Sequence, residues 1–313
     1  MVPTASPRVT VITLTYKRPA DLPEALPALL DAIADNPLAD LLVVDNDEVP
    51  SAREVVEGFA SDRLRYVHEP RPGIAAARNR GLDETEASDL IIFVDDDESP
   101  SPGWLGHLLR ARSTYRAEAV AGPVLSEFEG PLDPWIVAGR YFERLRHPSG
   151  TPVEVAATNN LLIDRAFVRE HRLRFDEAFG LSGGSDSVFT RQLRRAGGRI
   201  VWCDEATVTD RVPASRANRA WVTRRAFRMG NTEARARIHV AQGTPEKLRE
   251  RARAAVRGLV RTVAGGLDWV RGALTRSVAH RARGVRTILR GAGMILAAFG
   301  YTYFEYRRKP TTG

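Results

Sequence analysis

Apolar residues in the first hundred positions fall into short continuous runs separated by segments of helical spacing. Val9–Thr15 (VTVITLT) reads as a strand, and Ala20–Ala34 carries Leu22, Leu26, Leu29, Leu30 and Ile33 at the interval of one helix face. Asp40–Asp45 (DLLVVD) is apolar without alternation, as in a strand covered on both faces. Ser51–Ala60 suits a helix, Leu64–His68 a strand, and Ile74–Thr85 a helix opening after the turn signal Arg71-Pro72-Gly73. Asp89–Val94 (DLIIFV) is the strongest strand signal in the chain. Strands alternating with helices predict an α/β domain with a mostly parallel twisted sheet flanked by helices.

The pattern then loosens. Ala119–Gly122, Val153–Ile163 and Arg199–Cys203 read as strands, Asp164–His171 and Asp186–Ala196 as helices, and Glu127–Pro152 as irregular. From Ala217 the reading is helical, broken at Gly243-Thr244-Pro245. Residues 246–290 place Val256, Leu259, Val260, Val263, Leu267, Val270, Leu274 and Val278 at helical spacing with arginines between them, an amphipathic basic extension.

Charge separates the two halves. The 313 residues carry a net +7, yet residues 211–313 hold 23 basic and five acidic side chains, so the first 210 residues are net −11. That placement opposes a nucleic-acid-binding protein, as does the lack of a zinc knuckle or aromatic–basic motif. It directs attention instead to an anionic membrane surface touching the tail; the alternative is a helical hairpin packed on the catalytic domain. One cysteine, Cys203, excludes a disulfide framework, and six scattered histidines exclude a histidine zinc site. Met1–Arg8 is short and polar, Val9–Leu14 is too brief for a signal sequence, and the longest uncharged C-terminal stretch, Gly291–Phe304, is too short to span a bilayer. The expectation is a cytoplasmic chain, peripheral on the membrane if the tail binds it. Trp269, Tyr301, Tyr303 and Phe304 are aromatic residues suited to a bilayer interface.

Two places carry chemistry. Asp95-Asp96-Asp97, with Glu98 next, follow the apolar run Asp89–Val94 directly. Ligands of parallel sheets collect beyond the carboxyl ends of strands, and clustered carboxylates there suit Mg²⁺ or Mn²⁺ gripping substrate phosphates. Ser182-Gly183-Gly184-Ser185-Asp186 is the second. Here either Ser185 or Asp186 caps the following helix, or the glycines let backbone approach a substrate while Asp186 acts as general base.

Val9–Leu22 (VTVITLTYKRPADL), Val43–Asn46 (VVDN), Gly73–Gly81 (GIAAARNRG), Phe93–Leu105 (FVDDDESPSPGWL), Thr158–Arg165 (TNNLLIDR) and Phe179–Gly197 (FGLSGGSDSVFTRQLRRAG) resemble, in order, the motifs of family-2 glycosyltransferases of the GT-A fold. The tail from Val212 resembles that of bacterial exopolysaccharide and cell-envelope sugar transferases. The resemblance implies a GT-A catalytic domain over 1–230, its nucleotide half about 1–105 and acceptor half about 106–230, with 231–313 a helical basic tail. It implies inverting transfer from a nucleotide sugar, a UDP-sugar foremost, to a glycan or lipid-linked acceptor. Thr15, Tyr16, Arg18, Asp45, Arg78 and Asp96 then meet the nucleotide, Asp95 and Asp97 form the metal-binding DxD, and Asp186 is the base. Ser185 stands where many members have Glu. Asn159, Asn160, Gly183 and Gly184 fall where the sugar pocket is lined, and Arg216, Arg225 and Arg228 where a diphosphate could be met; packing, capping or solvated roles remain open for these and for Asp45, Tyr16 and Arg78. A nucleotidyltransferase of similar architecture is the alternative enzyme, opposed by the absence of glycine in Thr15–Pro19.

Overall fold

The computed structural model describes residues 6–144 and 146–304; Met1–Ala5 of the polar N-terminal run and residues 305–313 of the expected tail lie outside them. The chain forms two compact units. The first runs through Leu125 and takes in Arg144–Gly180 and Ser185–Asp210; the second comprises Ser126–Glu143, Leu181–Gly184 and the chain from Arg211 on.

In the first unit the elements alternate as β1 (Val9–Thr15), α1 (Leu22–Ala32), β2 (Ala39–Asp45), α2 (Arg53–Glu57), β3 (Leu64–His68), α3 (Ile74–Asp83) and β4 (Leu90–Asp95). β5 (Glu98–Pro100), α4 (Trp104–Tyr115) and β6 (Ala119–Ala121) follow. The sheet order is completed after β7 (Val124–Phe128) and α5 (Pro134–Ala138) by β8 (Asn160–Asp164), α6 (Arg165–Glu170), α7 (Ser185–Arg195), β9 (Ile200–Trp202) and β10 (Val208–Val212). Seven strands pair as β3-β2-β1-β4-β8-β6-β9, and three short ones as β5-β10-β7. All large-sheet pairings are parallel except those of β8, which runs against both β4 and β6.

Alternate residues of the buried strands feed two separate cores, as the two-residue period of a strand requires. Val9, Val11, Leu41, Val43, Ile92 and Val94 pack with Leu22, Leu26, Leu29 and Ile33 near or on α1 and with Trp104, Leu105 and Leu108 of α4. Ile12, Leu42, Val44, Ile91 and Phe93 pack on the other side with Ala75, Ala77 and Leu82 of α3 and Phe189 and Leu193 of α7. Strands wrapped on both faces explain the unbroken apolar runs of the sequence.

The middle of the chain departs from expectation. Glu127–Pro152 contains the end of β7 and all of α5, which Asp133 caps by accepting from Trp135 N at 2.8 Å. The predicted strand over Val153–Ile163 begins only at Asn160. α4, Trp104–Tyr115, is a helix that the sequence pattern did not predict.

The second unit is helical. α8 (Arg219–Val240), α9 (Gly243–Leu274) and α10 (Val278–Ala298) follow one another, and α10 packs along both α8 and α9. Glycines set these approaches: a β-carbon at Gly230 would lie 2.0 Å from the Arg290 carbonyl, and one at Gly293 2.1 Å from that of Phe227. From Arg211 on, the chain belongs to this unit, and α8 packs with α10 in it. Among the described residues no helix is long and apolar enough to cross a membrane.

Candidate active site

Strands β1, β2 and β4 are parallel and in register, so Thr15, Asp45 and the pair Leu14–Asp95 come to one sheet edge. Antiparallel β8 begins at that edge, with Asn160 opposite Val94, which brings Asn159 and Asn160 beside the end of β4. The carboxyl edge of a parallel sheet is where such folds bind ligands.

The acids after β4 form one electrostatic unit. Arg18 Nη1 lies 3.0 Å from Asp97 Oδ2 and 3.6 Å from Asp96 Oδ1. Glu98, buried, accepts from the Asp95 backbone amide at 3.2 Å and from Asn159 Nδ2 at 2.8 Å. Burial raises the Asp95 carboxyl to about 7, the negative charge of Asp97 adds to the rise, and the Arg78 cation opposes it. Asp96 rises to about 6, again chiefly by burial, with the Thr15 hydroxyl and Arg18 pulling the other way. Glu98 stands well above the ordinary carboxylate range, from burial and then from the Asp95 charge. In the sequence Glu98 is only a fourth acid; its bond to Asn159, 61 residues away, is what gives it a place in the site.

A pH dependence follows. Folding lifts Asp95 from an ordinary 3.8 to about 7, so between those values the native protein holds a proton that the unfolded chain has released. Without divalent cations, stability contributed by this group falls as pH rises from about 4 to about 7. Thermal unfolding in chelator across that range should show a shallower pH slope for Asp95→Asn than for wild type; equal slopes would refute the assignment.

Across the loop from α3, Arg78 is buried and its Nη1 donates to Ser185 Oγ at 2.8 Å, while its guanidinium carbon lies 5.5 Å from the centre of the Phe175 ring. Gly73, at φ +111°, opens α3 close to Gly180: a β-carbon there would sit 3.1 Å from the Gly180 carbonyl carbon. Ser185 is wholly buried and opens α7, so Asp186 stands inside the first helical turn, half-buried, its Oδ1 accepting from Ser187 N at 2.6 Å. Gly183 and Gly184 before it have φ of +75° and +98°. Those angles strain other residues, so the loop itself requires glycine.

Other expected site residues have internal partners. Asp45 is buried and accepts from Tyr66 Oη at 2.9 Å, Ala52 N at 2.9 Å and Asp47 N at 3.0 Å, which ties the end of β2 to the turn into α2. Burial in turn pushes the Tyr66 phenol up. Asn160 is buried and accepts from Trp104 Nε1 at 2.9 Å while donating to the carbonyls of Ala206 and Pro123 at 2.7 and 3.1 Å. Its amide holds β8, α4 and the loops beyond β6, the packing role that the sequence left open beside the sugar pocket. Tyr16 is exposed, with Lys17 Nζ 5.3 Å from its ring centre. Arg216, Arg225 and Arg228 belong to the second unit, where Arg225 lies over the Phe142 and Trp221 rings at 5.6 and 5.4 Å.

Among the described residues no group of three or more His, Cys, Asp or Glu side chains is disposed to enclose a metal ion. Two hard carboxylates, Asp95 and Asp97, whose mutual repulsion a cation would relieve, nevertheless fit a site that a ligand's phosphate oxygens and water complete.

A mostly parallel sheet with an acidic carboxyl edge and a glycine loop feeding a helix is the architecture of a GT-A glycosyltransferase. The profile of Glycosyl transferase family 2 matches residues 10–172. The succinoglycan biosynthesis protein ExoM of Rhizobium meliloti (strain 1021) is 35% identical over 247 residues, 77% of this chain and 79% of that protein. The chain belongs to glycosyl transferase family 2. The glycosyltransferase GlyA of Streptococcus pneumoniae serotype 4 is 25% identical over 142 residues, 44% of this chain and 20% of its own length. GalNAc-T7, solved with UDP, GalNAc and Mn²⁺, shares the fold with a TM-score of 0.56 at 13% identity over 74% of this chain, which spans 48% of that structure.

Proposed function

We propose that the protein transfers a sugar from a UDP-sugar to a hydroxyl of a glycan or lipid-linked acceptor during polysaccharide assembly, with inversion at the anomeric carbon. The observation that carries this reading is the cluster of Asp95, Asp96, Asp97 and Glu98 at the carboxyl edge, where burial and neighbouring negative charge hold the carboxyls of Asp95, Asp96 and Glu98 above their ordinary range. The name of the Rhizobium relative supports polysaccharide assembly, and the ligands of the GalNAc-T7 structure support UDP and a divalent cation.

Asp95 and Asp97 would hold Mg²⁺ or Mn²⁺, which when bound neutralises charge on a departing diphosphate. Arg18 and Arg78 bring fixed positive charge to the same edge, where the leaving nucleoside diphosphate gathers its charge. Thr15, Tyr16 and Asp96 border the nucleotide, and Asn159, held by Glu98, faces the sugar. Asp186 takes the proton of the acceptor hydroxyl, which attacks the anomeric carbon on the side opposite the leaving group. A single base with no second nucleophilic carboxylate implies inversion.

A donor screen with purified full chain and Mn²⁺, following nucleoside diphosphate release, tests the reading. Slow release from a UDP-sugar, accelerated by a glycan or lipid-linked acceptor, is the expected result. Faster release from a donor carrying another nucleotide would overturn the UDP assignment, and release that no acceptor accelerates would overturn the transfer assignment.

A further inference from the structure

The two sides of α9 are built for different neighbours. On one side Gly258, Gly265 and Gly272 recur every seven residues and face α10: β-carbons at Gly258 and Gly265 would lie 2.7 and 2.8 Å from the carbonyls of Gly291 and Gly284, and one at Gly272 2.6 Å from the Arg281 amide. This seam fixes the rotation of the helix. At 3.6 residues per turn, Val256, Val260, Val263, Leu267, Val270 and Leu274 fall in one arc opposite the glycines, over about 27 Å of helix. Each of the six is at least 48% exposed, and Leu274 reaches 82%.

One flank of this stripe is positive, with Arg253, Arg257 and Arg271 along it and Arg249 in line with the stripe at its N-terminal end. Arg249, Arg253, Arg257 and Arg271 are exposed, whereas the three acids of α9 are turned away or engaged. Glu246 accepts from the Gln242 amide, Glu250 from Arg253, and Asp268 lies 2.5 Å from His280 Nδ1. The spacing of four and three alternately is that of a coiled-coil seam, but such a seam is held in register by opposite charges on its flanks. An antiparallel second copy of this face would bring the arginines together, and a parallel one would set them against an uncharged flank, with no exposed acid of α9 to meet them in either case. The charge instead complements an anionic surface.

We infer that the outward face of α9 docks flat on an anionic lipid surface, its apolar arc entering the headgroup boundary and its arginines meeting lipid phosphates. A helix with an apolar arc and a basic flank lies in the interface plane. Three of the aromatic residues expected to insert, Trp269, Tyr301 and Tyr303, have other neighbours. Trp269 lies on the seam side with its Cβ against Gly284, and Tyr301 and Tyr303 pack on Phe227 with ring centres 6.4 and 6.0 Å apart from it. Docking of this face rests on the aliphatic arc and the arginines.

Co-sedimentation of the full chain with phosphatidylcholine vesicles, with and without about one third phosphatidylglycerol, tests this independently of transfer activity. Wild type should sediment with the anionic vesicles and remain in solution with the neutral ones. Val263→Glu with Leu267→Glu, at exposed positions that leave the glycine seam intact, should lower partitioning at least about tenfold. Arg249→Gln with Arg257→Gln should lower it about fivefold per arginine, with a weaker dependence on salt than wild type. Circular dichroism confirms that the variants keep their helices. Wild type left in the supernatant at low salt, or unchanged sedimentation of the Val263/Leu267 variant, overturns the inference. So does a dimer in sedimentation velocity that this variant converts to monomer, which assigns the face to a second copy.

Discussion

Replacing Asp186 by asparagine is expected to lower the rate of sugar transfer by about 10²–10⁴-fold while donor affinity stays at the wild-type level, since that range is what a positioned general base contributes. The substitution is close to isosteric. The asparagine side-chain oxygen still accepts the Ser187 amide that Asp186 Oδ1 holds at 2.6 Å, and Ser185 still receives Arg78. α7 therefore keeps its first turn, and what disappears is a basic oxygen. The loss should fall on kcat with the donor KM little changed, because the base acts on the acceptor proton and not on the nucleotide. Steady-state kinetics with saturating acceptor, together with calorimetric titration of UDP, separate the two. Near-wild-type turnover would return Asp186 to a purely local role in the first turn of α7.

Asp97→Ala should abolish the part of nucleotide affinity that depends on a divalent cation. Only two carboxylates of the chain, Asp95 and Asp97, are proposed to hold the ion, so removing one takes half of the protein's ligand set. The loss should exceed the roughly 10–100-fold seen when a partner one layer further out is removed. The side chain lies in the turn between β4 and β5 and is 19% exposed, so its removal opens no void in either core. Two local consequences accompany it. Arg18 loses its partner at 3.0 Å, and Asp95 loses a like charge that helps hold its carboxyl near 7. Titration of UDP with and without Mn²⁺ reads the effect as a difference between wild type and variant. An unchanged Mn²⁺-dependent increment would remove Asp97 from the metal assignment.

Much of the first unit was legible because its information is local. β1, β3 and α3 begin where their patterns begin, since a strand buried on both faces must be apolar throughout and a helix on a sheet must repeat its apolar face. The acids after β4 were legible for the same reason: the end of an apolar run marks the sheet edge, and four acids there stand out against any packing requirement. The two glycines before Asp186 were conspicuous in the sequence, and the structure gives both positive φ. The tail's apolar stripe and arginines were equally plain in its spacing.

Other features depended on partners far away in the chain. β8 runs antiparallel into an otherwise parallel sheet, and no periodicity distinguishes the direction of a buried strand; that direction alone brings Asn159 and Asn160 to the β4 end. Asp45 ends β2, and its partners, Tyr66 and the amides of Asp47 and Ala52, come from the turn into α2 and from β3. Asn160 is bound by Trp104 and two carbonyls, and Arg78 meets Ser185 across 107 residues. In α9 the stripe was visible, but whether it faced a neighbour or the outside depended on where α10 lay, and the glycine seam decided it. The sequence alone determined the alternation of elements, the acidic edge and the basic stripe, because each is written in residues that are neighbours or one turn apart. Tertiary structure decided which polar groups are already satisfied and which face of each element is covered, because a buried donor or acceptor is satisfied by whatever the fold brings to it.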